Sequence, residues 1–212
     1  RNAKNVTFSA QQVDMEKLIS QLKDYYRNLR SDRQGEFGAF RSGGPANLDY
    51  LNGYFTRDRY DITNYLIGNS ETWEQELEPR ANHWDKRIQV ALPQTNAGTY
   101  LVEASAEMVV DDRKVTHRAR ILVTLQDSML VRHRTEKETI FRAVDANSGE
   151  SLGNIDVEFF GYRWEDGRKN PRRTLSRNMA KKTNASGEVK IDLEKRFQWL
   201  AIARRDGKLS LL

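Results

Sequence analysis

Residues 96–125 carry the longest sustained alternation in the chain, and a side-chain period of two buries one face only if the segment is a strand. In NAGTYLVEASAEMVV, Tyr100, Val102, Ala104, Ala106, Met108 and Val110 share one face. After the turn DDRK, Val115, His117, Ala119, Ile121 and Val123 return on one face, which predicts a long antiparallel hairpin. His117 takes an apolar-face position, where a structural histidine is expected rather than a ligand. Just upstream, Ile88, Val90 and Leu92 alternate as far as Pro93 and predict a further strand.

The N-terminal part changes period. KNVTFSAQ sets Val6, Phe8 and Ala10 against Thr7 and Ser9, as a half-buried strand does. Met15, Leu18, Ile19, Leu22, Tyr26 and Leu29 then recur at helical spacing, predicting an amphipathic helix over about 13–30 that packs on a sheet. SDRQGEFGAFRSGGP follows as a loop, and its glycines lack the spacing that cradles phosphate. NLDYLNGYFTRDRYDITNYLIG leaves helix and strand both open.

Beyond LVTLQD, strands are predicted near 128–134, 138–145, 154–161, 172–177, 187–193, 197–205 and 208–212. Seven short strands with turn signals between them fit a Greek-key β-sandwich. The expected fold is therefore mainly β, as two tandem antiparallel β-sandwich domains. Residues 1–125 form the first, with a helical insertion at about 13–66, and residues 126–212 the second. Ile121, Val123 and Leu125 are expected to bury apolar surface near the junction.

The stretch VDANSGESLGNIDVEFFGY invites a metal reading and fails it. Counted from Asp145 as a helix–loop–helix calcium loop, Asn147 fits the third position. Gly149 then falls where a ligand is needed, and Glu150 where glycine is needed. The flanks are also strand-like, which leaves a hairpin turn with Asn, Ser and Gly bonding their own backbone. TNASGEVKIDL repeats the device at Asn184, Ser186 and Gly187. No catalytic group, cofactor site or metal site is expected. His83, His117 and His133 are dispersed, no G-x-S-x-G elbow is present, and the chain has no cysteine to serve as nucleophile, thiolate ligand or disulfide partner.

Basic and acidic residues number 35 and 30, so the net charge of +5 belongs to a mixed surface and nucleic-acid binding is not expected. One segment is lopsided: RWEDGRKNPRRTLSRNMAKK (163–182) holds eight Lys or Arg against Glu165 and Asp166. Arg163, Arg168, Lys169, Arg172, Arg173 and Arg177 are the candidate partner contacts. No apolar stretch approaches a membrane span. Opening at Arg1 and ending in KLSLL, the chain reads as cut from something longer.

RNAKNVTFSAQQVDMEKLI resembles the strand-to-helix phrase of the first macroglobulin domain in bacterial alpha-2-macroglobulin-like proteins. LPQTNAGTYLVEASA resembles the strand that closes such a domain. ILVTLQDSMLVRHRTEKETIFRAVDANSGESLGNIDVEFF resembles the crossing into the next domain, and TNASGEVKIDL with WLAIARRDGKLSLL resembles its final strands. The resemblance covers nearly the whole chain and implies immunoglobulin-like, macroglobulin-type sandwiches in a secreted or periplasmic endopeptidase inhibitor. It implies a non-catalytic scaffold fragment whose partners are other domains of its own polypeptide and, through the intact protein, proteases. The family's reactive thioester needs a cysteine, which this chain lacks, and segment 31–70 is longer and richer in Gly and Tyr than the family pattern. The alternative is a binding or adhesion module of a cell-surface protein that uses segment 50–66 or the basic loop 163–182.

Overall fold

The computed structural model describes residues 3–28, 55–56, 62–78, 87–110, 113–135, 138–165 and 173–212. The chain is mainly β, with antiparallel sheets, and parts into two compact units. The described residues within Arg1–Asp14 and Leu51–Leu125 form one unit, and those within Met15–Tyr50 and Gln126–Leu212 the other.

In the first unit β1 (Asn5–Val13), β2 (Leu66–Glu76), β3 (Gly98–Val110) and β4 (Arg113–Leu125) make a four-stranded sheet in the order β2-β1-β3-β4. The predicted hairpin is present with unbroken register from Gly98↔Leu125 to Val110↔Arg113. Its apolar cluster lies towards the Gly98 end. Ala10, Tyr100 and Val102 are buried there, with Phe8, Trp73, Leu92, Val123 and Leu125 packed against them. Two expectations change as a result. His117 is exposed because the outer half of β4 lies beyond the cluster, and Ile121, though paired with Val102, is 51% exposed because β4 is an edge strand among the described residues. Ile88 to Leu92 is not a strand. Leu92 packs on the cluster, Gln94 Nε2 donates to Glu71 at 2.8 Å, and Pro93 has no N–H to offer a ladder.

Strand β2 escaped the sequence reading because it is exposed along most of its length, with Trp73 its main apolar contact. Trp73 stacks on Phe8 at 5.4 Å, opposite it in the register.

The second unit has three layers. Strands β5 (Ser128–Arg134), β6 (Thr139–Asp145) and β9 (Glu188–Ile191) form one sheet, ordered β5-β6-β9. Strands β7 (Asp156–Glu165), β8 (Arg173–Lys182), β10 (Gln198–Arg205) and β11 (Lys208–Leu211) form the other, ordered β11-β10-β7-β8. Leu130, Phe141, Ala143, Val189 and Ile191 from the first meet Val157, Phe159, Ala201 and Ala203 from the second in one core. Phe141 and Phe159 pack edge to face at 4.9 Å.

The third layer is helix α1 (Met15–Asn28), which lies on β7 and β8. The sequence placed it in the first domain, whereas its apolar stripe of Leu18, Ile19, Leu22, Tyr25 and Tyr26 is buried in the second unit. The physical reason lies in β7 and β10. Phe160, Tyr162, Leu200 and Ile202 point away from the sandwich core, are all buried, and need a cover. Gly161 leaves room on the inner face, where a Cβ would come within 2.6 Å of the Trp199 ring opposite it.

Candidate functional site

The expected hairpin turn at Asp145 is a crossing between sheets. β6 and β7 do not pair, and a single bridge, Val144↔Ser151, closes the turn before the chain passes to the other sheet. Asp145 Oδ1 accepts from the backbone N–H of Asn147 at 3.0 Å and of Ser148 at 2.9 Å. Those two donors, Ser148 first, hold the carboxyl below the usual carboxylate range. Gly149 takes φ +75, a left-handed conformation that glycine enters without penalty.

Asn184 repeats the arrangement between β8 and β9, its Oδ1 accepting from the N–H of Ser186 at 3.0 Å and of Glu188 at 2.8 Å. The two crossings are knitted together. Ala143 N–H donates to Gly187 O at 2.9 Å, Thr183 N–H to Ile155 O at 2.9 Å, and the buried Thr183 hydroxyl bridges Ile155 N and Leu152 O. Both Asn/Asp turns therefore stitch one end of the sandwich. Among the described residues no three His, Asp or Glu side chains gather as metal ligands. His117 and His133 lie on β4 and β5, in different units, and His83 falls outside the described residues.

Of the six basic candidates, Arg163 and Arg177 come together. Register puts both on the inner face of their sheet, in line with Gly161 and Trp199 but past the Phe159 core. Their guanidinium carbons lie 5.3 Å and 5.2 Å from the centroid of Phe197, whose ring is 5.6 Å from Trp199. Arg177 is paired with Glu194, and the Glu194 carbonyl accepts from Trp199 Nε1 at 3.1 Å. Among the described residues, Arg163 Nε is buried with no hydrogen-bond partner. Cations over an aromatic face are each stabilised by about 0.5–2 kcal/mol, so the pair is held by packing as well as charge. Arg173 opens β8 opposite Glu165, while Arg168, Lys169 and Arg172 lie outside the described residues, as does most of segment 50–66. Phe197 and Glu194, which organise the cluster, were not singled out from sequence. The apolar Phe197 beside Trp199 was the available signal.

A second ionic cluster fastens α1. Lys23 Nζ donates to Glu158 Oε1 at 2.7 Å, Arg204 Nη1 to Glu158 Oε2 at 2.8 Å, and Arg204 Nε to Glu16 Oε1 at 2.7 Å. Burial alone would raise the Glu158 pKa; the hydrogen bonds from Lys23 and Arg204 outweigh it and hold the carboxyl below its ordinary value. Chiefly through its bond to Glu16, Arg204 is driven still higher than a free guanidinium. Beside the cluster, Tyr26 packs on Tyr162 at 4.0 Å, and burial pushes the Tyr162 hydroxyl up to about 12.

The described residues form antiparallel sheets in two compact units, and in the second unit two sheets pack face to face as a β-sandwich. Over 100% of its length the chain is similar to the crystal structure of native alpha-2-macroglobulin from Escherichia coli spanning domains NIE-MG1, at 21% identity and TM-score 0.54, covering 84% of that chain. It is likewise similar to the structure spanning domains MG0-NIE-MG1, at 20% identity and TM-score 0.54, covering 55% of that chain. These likenesses concern the fold. No family profile and no curated protein matches the sequence.

Proposed function

We propose that the chain is a non-catalytic scaffold portion of a larger alpha-2-macroglobulin-like protein of the bacterial cell envelope, one that acts as an endopeptidase inhibitor when intact. The supporting observation is the likeness in fold to the NIE-MG1 part of Escherichia coli alpha-2-macroglobulin along the whole chain. The phrases RNAKNVTFSAQQVDMEKLI and LPQTNAGTYLVEASA resemble the same family. Among the described residues no helix is long and apolar enough to cross a membrane. The polar groups of the described sites serve turns, the α1 clamp and the Phe197 cluster, so their chemistry holds shape.

A scaffold portion lacks the enclosure that trapping requires. The purified chain, mixed with a protease and either a large protein or a small peptide substrate, is therefore expected neither to hydrolyse nor to inhibit. Stoichiometric protection of the large substrate, or turnover by the chain itself, would sink the reading. Contact with another domain or protein through the basic end of β7 and β8 is a second reading. It is favoured by the exposed Arg177 guanidinium beside Arg163 over Phe197.

A further inference from the structure

We propose that the outer half of β4, residues 113–119, accepts an added strand: an extended polypeptide segment with acidic side chains on one face and apolar ones on the other. Strand β4 is an edge of the sheet β2-β1-β3-β4, and all seven of these residues are exposed. An open edge presents a row of unpaired backbone N–H and C=O groups, a template for a further strand.

Side chains select what pairs there. Strand β4 carries Arg113, Lys114, Arg118 and Arg120 with no acidic residue, whereas β2 at the opposite edge carries Glu71, Glu74 and Glu76 with no basic one. Register places Glu74, Thr7, Ser105 and Arg118 in a single row across the sheet, so the same row ends in opposite charges. Arg118 is only loosely engaged. Its Nε is 4.0 Å from Glu103, which Arg120 already holds at 2.6 Å, and its side chain is 59% exposed. On the other face Val115, 37% exposed, offers apolar surface to the incoming strand beside His117 and Ala119.

The arrangement also separates the alternatives. Two β4 edges would bring arginines against arginines, which is unfavourable. A second folded copy could present β2, a head-to-tail contact that builds rings or open chains and so makes the chain self-associate with rising concentration. An extended acidic segment of another polypeptide satisfies both the backbone and the charge.

The test uses a synthetic peptide copying residues 66–76, LIGNSETWEQE, which carries Glu74 and Glu76 on one face and Trp73 on the other. Titrated into the isotope-labelled chain, it should shift amide signals along 113–119 and bind more weakly at high salt. Lys114→Glu with Arg118→Glu should weaken binding on the order of tenfold. A peptide with Glu74→Lys and Glu76→Lys should bind that variant and fail on the unaltered chain. Absence of shifts at 113–119, or equal binding of both peptides to the unaltered chain, overturns the proposal. So does a chain that self-associates with rising concentration through this edge, which would assign it to a second copy. The peptide swap on the unaltered chain decides even if the double variant misfolds.

Discussion

The two units use the same antiparallel chemistry and differ in how far along the strands both faces are covered. In the first, burial of both faces of β3 is confined to its start, where Tyr100 and Val102 alternate with Thr99 and Leu101, and the hairpin runs on past it, leaving Val109 at 60% exposure. In the second, Val157 and Phe159 are buried on one face of β7 while Phe160 and Tyr162 are buried on the other. Covering the second face required a helix from the far end of the sequence. Stability should therefore be concentrated in β7 and β10, and substitutions there should cost far more than equivalent ones along β4.

The largest effect is expected from Phe159→Ala. Phe159 is fully buried and packs on Phe141, so the change loses both transfer energy and packing around the cavity, about 3–5 kcal/mol. Urea denaturation should show the midpoint falling accordingly. A loss under about 1 kcal/mol would mean that the core collapses around the hole and the contrast between units is overstated.

The α1 clamp gives an intermediate effect with a definite pH signature. The Glu158 and Lys23 side chains are each 13% exposed, so Glu158→Gln leaves Lys23 and Arg204 facing a neutral group in a partly dry site. A cost of about 1–3 kcal/mol is expected, discounted for the solvent that reaches Arg204. The folded-state pKa of Glu158 lies below the unfolded one. Its stabilisation is therefore present above the unfolded value and is lost as pH falls through the folded value. Urea midpoints measured from about pH 7 to about pH 3 should fall more steeply for the native chain than for Glu158→Gln. Parallel curves would remove Glu158 from the acid response.

Much of this contrast was legible in the residues, though not all. Period two located the β3–β4 hairpin and the strands of the second unit, because half-buried strands write their exposure into alternate positions. The runs Phe159-Phe160 and Leu200-Ala201-Ile202 break that alternation, and such a break signals burial on both faces. The stripe of Leu18, Ile19 and Leu22 announced that α1 needed a sheet without saying which one. Its partners Glu158 and Arg204 are more than a hundred residues away, and only topology brings them near. Similarly, the excess of arginine near 163–177 was visible, but its convergence on Phe197 depends on the registers of β7 with β8 and β10.

The smallest effect should come from Ile121→Thr, and it is the sharpest control. Ile121 pairs with Val102 in the register, yet its side chain is half in water while Val102 is buried. Thr keeps the β-branch that suits a strand, so backbone preference is nearly unchanged. Only the part of the apolar surface already shielded can be lost, and the stability change should stay within about 0.5 kcal/mol. Urea midpoints should then be indistinguishable from the native chain. A loss above about 1 kcal/mol would show that Ile121 is covered in solution, and the contrast between a partly covered and a fully covered sheet would fail.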